Sequence, residues 1–187
     1  MLEPTYSRIA RNYDDMYSEP SDLEEDKELF GLLREHLTGK VLDIGAGTGL
    51  LLDNIDIPIE DYFGIDQSAE MLVVLDKKHP ERKIMATDFE GFVGIIGDFD
   101  TVVALYGVAS YIRPDYLTKV KEIISKDGKF FLMFYKPDYY PRFYTDKELE
   151  WESTIDLVKK VMYREDVEPM WLQIPFKLFN ATSGEEQ

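Results

Sequence analysis

Cysteine is absent from this chain of 187 residues, and basic residues are few. Without cysteine the chain can form neither a disulfide framework nor a thiolate metal site, so we expect a reducing, cytoplasmic setting. The 21 basic residues stand against 37 acidic ones, which gives a net charge of −16. Because nucleic-acid binders neutralise phosphates with a basic face, this balance argues against a DNA or RNA partner.

Long hydrophobic runs and metal-ligand patterns are also missing. No run of about 18 uncharged apolar residues occurs, and the N-terminus lacks a basic stretch followed by an apolar one. We therefore expect no membrane span and no export signal. The two histidines, His36 and His79, fall on predicted helices, and no cluster of histidine and carboxylate has metal-ligand spacing. No metal is expected.

Strand-like runs recur along the first 135 residues. Short, β-rich apolar segments predict strands at 40–44, 62–65, 83–86, 100–106 and 129–135. Helical patterns separate them, and strands joined by helices form crossover units. The pattern predicts an α/β fold, Rossmann-like and doubly wound, with a mostly parallel sheet covered by helices on both faces.

The predicted helices carry start and stop signals. Ser21 and Glu24 form a possible capping box for a helix that runs until Gly39. Two further helices are predicted to run from about residue 48 to 54 and to open at Ser68. A fourth is predicted to begin at Pro114, as the first helical residue, and to end at 127–128, Asp-Gly.

A glycine-rich loop, Gly45-Ala-Gly-Thr-Gly49, follows the first predicted strand. A dinucleotide fingerprint, Gly-x-Gly-x-x-Gly, would require glycine at position 50, which is Leu50. Asp43, near the end of the strand, would repel a pyrophosphate and suit a cationic group. Ligands of doubly wound sheets bind outside the carboxyl ends of the strands, where the strand order reverses. We therefore expect a positively charged ligand beside this loop.

Four segments resemble, in order, the motifs of class I S-adenosylmethionine-dependent methyltransferases. VLDIGAGTG at 41–49 is similar to the first motif, and FGIDQSAEM at 63–71 to the second, with an acid at the end of strand two. ATDF at 86–89 resembles the adenine-contacting motif, and FDTVVALY at 99–106 the fourth strand. The resemblance covers about residues 6–135. It implies S-adenosylmethionine as cofactor, which carries an ammonium and a sulfonium and no phosphate.

The resemblance implies roles at the first two strand ends. Gly45 and Gly47 would let the backbone approach the methionine part of the cofactor, with positive φ. Asp43 would favour the cofactor ammonium, unless it caps a helix or loop. Asp66, which follows Gly49 by 17 residues, would accept both ribose hydroxyl protons, unless it caps the next helix.

The adenine end of the cofactor is expected at the third and fourth strand ends. Asp88 would accept from the adenine amino group while Phe89 packs against the ring, with an ordinary turn as the alternative. Met71 would line the same pocket or belong to the core. The expected cofactor-binding residues are Tyr13, Asp43, Gly45, Ala46, Gly47, Asp66, Gln67, Met71, Thr87, Asp88, Phe89 and Leu105.

Two features concern the methyl acceptor. Residues 105–111 lack the Asn/Asp-Pro-Pro-aromatic stretch of methyltransferases that act on exocyclic amines in DNA. Residues 6–14 resemble the lid of small-molecule methyltransferases, such as those of quinone biosynthesis, in which an aromatic closes over the cofactor; Tyr13 takes that role or packs in the core. The expected substrate-binding residues, which could instead cover the sheet edge, are Tyr6, Tyr106, Tyr111 and Tyr135.

These patterns predict a methyltransferase that moves a methyl group from S-adenosylmethionine to a small-molecule acceptor by in-line displacement. A protein or peptide methyltransferase, and a non-catalytic accessory protein that binds the cofactor, remain alternatives. No catalytic residue is predicted, because a base is needed only if the acceptor keeps its proton. A single domain, 1–187, is expected, with a lid and helix at 1–38, a cofactor-binding core at 39–135, and a substrate-side tail at 136–187 with shortened or irregular strands.

Overall fold

The sheet is parallel throughout its five strands. The protein is represented by a computed structural model that describes residues 3–93, 97–113, 116 and 119–133. The strand order is β3-β2-β1-β4-β5, so the order reverses beside β1, which pairs with both β2 and β4. The strands are β1 (Val41–Ile44), β2 (Tyr62–Asp66), β3 (Lys83–Ala86), β4 (Phe99–Ala104) and β5 (Ile124–Leu132).

Helices connect the strands and precede the first one. They are α1 (Glu3–Ile9), α2 (Pro20–Arg34), α3 (Leu50–Asn54), α4 (Ala69–Lys78), α5 (Phe89–Phe92) and α6 (Val120–Ile123). Short 3-10 turns occupy Ala10–Asn12, Asp14–Tyr17, Ile59–Asp61 and Val108–Tyr111. In the described part of the chain, none of the helices is long and apolar enough to cross a membrane.

Alternating strand side chains build two apolar layers, one on each face of the sheet. Val41 and Val103 pack on the face covered by α2, α3 and α4, whereas Leu42 and Val102 pack on the face covered by α5 and α6. All four residues of β1 are buried, as expected for a central parallel strand covered on both sides. This arrangement confirms the predicted Rossmann-like α/β fold.

The predicted start and end of the first long helix were wrong. Helix α2 begins at Pro20, and its capping box joins Glu19 and Asp22 in place of Ser21 and Glu24; Asp22 Oδ2 accepts the Glu19 N–H at 3.2 Å. Pro20 explains the earlier start, because its ring fixes φ near the helical value and suits the first helical position. The helix ends at Arg34, short of Gly39.

The predicted helix stop at Asp127 and Gly128 was also wrong, because both residues lie inside β5. The strand begins immediately after α6, and its register with β4 shifts between Phe99 and Thr101. A Cβ at Gly128 would lie 2.5 Å from Ile124 Cγ1, so glycine is required by close packing in this irregular strand. The predicted helix start at Pro114, and the tail predicted at 136–187, lie outside the described residues.

Candidate functional site

A cavity lies at the carboxyl ends of β1, β2 and β4, where the strand order reverses. Its volume is about 160 Å³. Tyr135 lies outside the described residues. All other residues predicted to bind cofactor or substrate line this cavity: Tyr6, Tyr13, Asp43, Gly45, Ala46, Gly47, Asp66, Gln67, Met71, Thr87, Asp88, Phe89, Leu105, Tyr106 and Tyr111.

The glycine loop turns sharply at the end of β1. Gly45 and Gly47 have φ of 73° and 54°, which confirms the expected left-handed backbone. A Cβ on Gly45 would lie 2.5 Å from Val108 Cγ2, whereas one on Gly47 would have no neighbour closer than 3.9 Å. Gly45 therefore permits close packing, while Gly47 leaves its side of the loop open. The N–H groups of Gly45 and Ala46 donate to Ile65 O at 2.8 and 2.9 Å, which joins the loop to β2.

Asp43 is buried behind the glycine loop, with a relative exposure of 4%. Its Oδ2 accepts a hydrogen bond from the Tyr62 hydroxyl at 2.9 Å, which joins Asp43 to the neighbouring strand β2. Burial raises the pKa of this carboxyl to about 7, the Tyr62 hydrogen bond opposes the rise, and Asp66 adds to it. A cation entering the cavity would therefore find a carboxylate that gains from being paired.

Asp66 connects the loop to the start of α4. Its Oδ2 accepts from the Gly47 N–H at 2.9 Å and its Oδ1 from the Ser68 N–H at 2.8 Å. Ser68, and not Asp66, caps α4, since Ser68 Oγ accepts from the Met71 N–H at 3.2 Å. Burial raises the pKa of Asp66, and its two backbone hydrogen bonds oppose the rise. Because each carboxylate oxygen has two acceptor directions, both oxygens can still accept from a ligand.

The third strand end presents a polar and an aromatic side chain. Asp88 is exposed and caps α5, where its Oδ1 accepts from the Gly91 N–H at 2.7 Å. Phe89 is buried in the layer under this edge and also lines the cavity. Met71 is likewise buried and lines the cavity, so it is at once a core residue and part of the pocket wall. Asp88 thus has a local capping role beside any contact with a ligand.

Tyr106 follows β4 at the other side of the cavity. Its hydroxyl donates to Oδ1 of Asp26 on α2, and its backbone has φ of 51°. Burial and this hydrogen bond raise the pKa of the Tyr106 phenol, and burial raises that of Asp26. Tyr106 is followed by Gly107, with φ of 81°, and by the 3-10 turn that contains Tyr111. Left-handed backbone at a tyrosine is uncommon and indicates a conformation imposed by the surrounding structure.

The N-terminal segment covers the cavity from the side of α4. Helix α1 packs against α4, and Ser7 Oγ lies 3.0 Å from Ser68 Oγ. The rings of Tyr6 and Tyr13 have centroids 6.1 Å apart. Both rings pack against a buried cluster that includes Met16 and Met71. Tyr13 therefore contacts the core and lines the cavity at once, and its closure over a cofactor stays a prediction.

Several lining residues were missed by the sequence analysis. Thr48 follows Gly47 within the motif itself, so its position in the motif was the available signal. Glu90 lies two residues beyond Asp88 and also lines the cavity. Phe30 reaches the cavity from α2, and no local pattern distinguishes it from an ordinary core residue. Long-range packing brings it to the site.

Among the described residues, the charged side chains that line the cavity are all acidic. Its charged lining residues are Asp43, Asp66, Asp88 and Glu90. Among the described residues there is also no group of three or more His, Cys, Asp or Glu side chains arranged to hold a metal ion. The site can therefore hold a ligand with positive charge and hydrogen-bond donors, through carboxylates and backbone groups.

Comparison with known proteins agrees with this geometry. A family model described as a methyltransferase domain matches residues 41–128, the segment that contains β1 to β4 and the glycine loop. Residues 41–128 of the chain are thus similar to a methyltransferase domain. The matched segment supplies β1 to β4 of the all-parallel sheet, with the strand order given above.

Relatives of this methyltransferase domain occur within far larger proteins. The chain is 36% identical over 105 residues to the chondramide synthase cmdD of Chondromyces crocatus, covering 49% of this chain and 3% of the synthase. It is 28% identical over 118 residues to the nonribosomal peptide synthetase kk1B of Curvularia clavata, covering 58% of this chain and 1% of the synthetase. The chain thus spans only a small fraction of the length of these curated relatives.

A solved structure shares the fold of the methyltransferase domain. The sugar N-methyltransferase KedS8 from a Streptoalloteichus species superposes with a TM-score of 0.50 at 20% sequence identity. The match covers 64% of this chain and 51% of that protein. At this identity the likeness concerns the fold, and it leaves the methyl acceptor open.

Proposed function

We propose that the chain binds S-adenosylmethionine in this cavity and transfers its methyl group to a small-molecule acceptor. The acidic lining carries the proposal: every charged side chain among the described lining residues is Asp or Glu. Phosphates of a dinucleotide would face these carboxylates at close range, whereas a ligand with an ammonium and a sulfonium would be attracted. The open side of the loop at Gly47 leaves room for such a ligand beside Asp66.

The cofactor roles follow from the geometry of each strand end. Asp43 attracts the ammonium, directly or through water, and the cation returns its pKa towards the usual range for a carboxyl. Asp66 uses its remaining acceptor directions for the ribose hydroxyls. Asp88 accepts from the adenine amino group, and Phe89 and Met71 pack on the ring. Tyr13 closes the cavity from the N-terminal segment.

The acceptor belongs on the side lined by tyrosines. When bound, S-adenosylmethionine supplies a methyl group attached to a positively charged sulfur. The bond between sulfur and methyl breaks in the transfer, and the rest of the cofactor is released as a neutral thioether. Tyr6, Tyr106 and Tyr111 give an amphipathic wall that excludes water and orients an acceptor. Holding the attacking atom in line at about 3 to 3.5 Å from the methyl can lower the barrier by about 7 to 11 kcal/mol through positioning. The residues of the wall therefore act by placement.

A peptide acceptor is the second candidate. Of the two curated relatives, one is named a nonribosomal peptide synthetase and the other a chondramide synthase. A peptide nitrogen or side chain would enter the same tyrosine-lined side of the cavity. A non-catalytic role, in which the cofactor binds without transfer, is the third candidate and is separated from the others by the label-transfer experiment below.

The binding test is calorimetry with S-adenosylmethionine, S-adenosylhomocysteine and a nicotinamide dinucleotide. The wild-type protein should bind the first two with a Kd on the order of micromolar and should not bind the dinucleotide. Asp66→Asn should weaken binding by about 10-fold or more, because the asparagine offers one acceptor oxygen in place of two. Asp56→Asn, the same chemical change at an exposed residue, is the matched control. Dinucleotide binding without S-adenosylmethionine binding would refute the proposal.

The transfer test uses S-adenosylmethionine with a labelled methyl group in a cell extract. Label recovered in the low-molecular-mass fraction supports a small-molecule acceptor, and label recovered in polypeptides supports the second candidate. A cofactor-binding protein that transfers label to neither fraction would exclude both enzymatic candidates. Asp66→Asn should reduce transfer in step with its loss of binding, whereas Asp56→Asn should leave transfer unchanged.

A further inference from the structure

Four polar side chains join the N-terminal segment, residues 3–17, to the rest of the fold. They come from the 3-10 turn Asp14–Tyr17, the glycine loop, α3 and the carboxyl end of α4, and they are Asp14, Thr48, Asp53 and Lys78. We propose that they form a latch that positions Tyr13 at the cavity for cofactor binding. The inference rests on the proposed function, since it assigns a purpose to the cover of that same site.

The contacts of the latch are short and continuous. Asp14 Oδ1 accepts from Thr48 Oγ1 at 2.5 Å, and Asp14 Oδ2 accepts from Lys78 Nζ at 2.8 Å. Lys78 Nζ also donates to Asp53 Oδ2 at 2.5 Å, and Asp53 Oδ1 lies 2.8 Å from His79 Nε2. Lys78 therefore joins the two carboxylates, and the second oxygens of Asp14 and Asp53 contact Thr48 and His79. The network connects positions as far apart in sequence as 14 and 78.

The latch is connected directly to the lining of the cavity. Tyr13, which lines the cavity, precedes Asp14, and Gly47, which also lines it, precedes Thr48. Asp66 holds the glycine loop by accepting from the Gly47 N–H. The Asp14–Thr48 bond therefore places the N-terminal segment against that same loop. The binding of any ligand that contacts both Tyr13 and the glycine loop depends on the distance between the N-terminal segment and this loop. Asp14, Thr48 and Lys78 are thus positioning residues.

The exposure of the latch suits an element that opens and closes. The side chains of Lys78, Asp53 and Asp14 have relative exposures of 27%, 33% and 49%, so salt screens their ion pairs and each is weak. Thr48 is 2% exposed, so its bond to Asp14 is better shielded from solvent. The latch therefore stabilises the closed position of the N-terminal segment only moderately, and the segment can still open to let a ligand enter.

The test compares S-adenosylhomocysteine binding by calorimetry at about 50 mM and about 500 mM NaCl. Lys78→Met keeps the apolar stem and removes the charge, and it should raise the Kd about 5-fold at low salt and less than about 2-fold at high salt. Thr48→Val should raise the Kd about 5-fold at both salt concentrations, because the bond it removes is shielded. Lys78→Arg should restore most of the affinity. Lys77→Met, an exposed neighbour on α4, is the matched control.

Hydrogen exchange gives a second readout that a general loss of stability would not produce. In the complex with S-adenosylhomocysteine, Lys78→Met should speed exchange in peptides that span residues 6–17 and leave β1 and β4 unchanged. Asp14→Asn combined with Lys78→Met should weaken binding by less than the product of the two single effects, since both remove one interaction.

The outcomes separate the two proposals. A wild-type protein that binds the cofactor product while Lys78→Met and Thr48→Val bind equally well would overturn the latch and leave the proposed function standing. An equal loss in Lys77→Met and Lys78→Met would also overturn the latch, because the effect would then be one of overall charge. A wild-type protein that binds neither S-adenosylmethionine nor S-adenosylhomocysteine would overturn both proposals.

Discussion

Replacing Asp43 with asparagine should stabilise the ligand-free protein and weaken its binding of S-adenosylmethionine. Asp43 is 4% exposed, and its carboxylate accepts from Tyr62 Oη at 2.9 Å. Burial raises the pKa of Asp43 from 3.8 to about 7. Asparagine has nearly the same shape, keeps an oxygen for the Tyr62 hydroxyl and carries no charge. The substitution therefore removes the desolvation penalty of the ionised form.

The sign and size of the effect follow from proton linkage. The pKa of Asp43 is higher in the folded protein than in the unfolded chain, so the folded state binds more protons between about pH 4 and about pH 7. Its contribution to stability is fully present below about pH 4 and is lost as the pH rises through the folded-state pKa. A shift of about 3 units, at about 1.4 kcal/mol each, makes this loss about 4 kcal/mol.

Urea unfolding of wild type and Asp43→Asn at about pH 5 and about pH 8.5 measures this loss. The free energy of unfolding of the variant should gain about 3 kcal/mol relative to wild type between these two pH values, because part of the loss occurs below pH 5. Comparing the two proteins cancels the titration of groups that Asp43 does not influence. Asp56→Asn, at an exposed residue, should show no such pH-dependent gain.

Ligand binding should change in the opposite direction. At about pH 8, Asp43→Asn should weaken S-adenosylmethionine binding by about 10-fold or more, since a charge-assisted contact with the ammonium is lost. The wild-type affinity should rise with pH through about 7 as Asp43 ionises, and the variant should lose this dependence. Equal pH profiles of stability in wild type and variant would refute the reasoning, because they would mean that Asp43 titrates as an ordinary carboxyl.

Three further substitutions test the glycine loop, helix α2 and the acceptor side. Gly45→Ala should lower the free energy of unfolding by about 2 to 4 kcal/mol in urea, because φ is 73° and the new Cβ would lie 2.5 Å from Val108 Cγ2. Gly31 lies inside α2, where a Cβ would meet nothing within 4 Å, so Gly31→Ala should raise the free energy of unfolding by about 0.5 to 1 kcal/mol. A loss of stability at both glycines would contradict this account. Tyr106→Phe should lower the free energy of unfolding by about 1 to 3 kcal/mol at pH 7 by removing the donor to Asp26. Because burial raises the pKa of Asp26, this loss should shrink as the pH falls towards about 4 and the carboxyl takes up its proton. An equal loss at both pH values would mean that the Asp26 carboxylate does not depend on this bond.

Local features of the sequence determined the strands and the chemistry at their ends. Each predicted strand has a counterpart in the sheet, and β3 has the predicted bounds at 83–86. The glycines of the loop were identifiable because left-handed backbone and close approach exclude other side chains. Asp43 and Asp66 were identifiable because each lies at or near the end of an apolar strand, in segments that resemble the first two motifs of class I methyltransferases. Ser68 was a correct helix cap because capping depends on the next few residues alone.

Other features depended on the tertiary structure. The Asp26–Tyr106 hydrogen bond joins residues 80 positions apart, and the latch joins Asp14 to Lys78, which are 64 positions apart. No periodicity encodes such pairs, because they arise when α2 and the N-terminal segment pack on the finished sheet. The same is true of the pKa of Asp43, since burial by residues distant in sequence raises it.

The sequence by itself therefore determined which residues form strands, where the backbone must turn and which strand ends carry carboxylates, since all of these follow from local sterics and hydrophobic spacing. Only the tertiary structure decided the strand order, the shift of register within β5 and the position of Tyr13 at the cavity. These depend on the summed packing of distant segments, in which many small contacts compete and no short stretch of sequence decides the outcome.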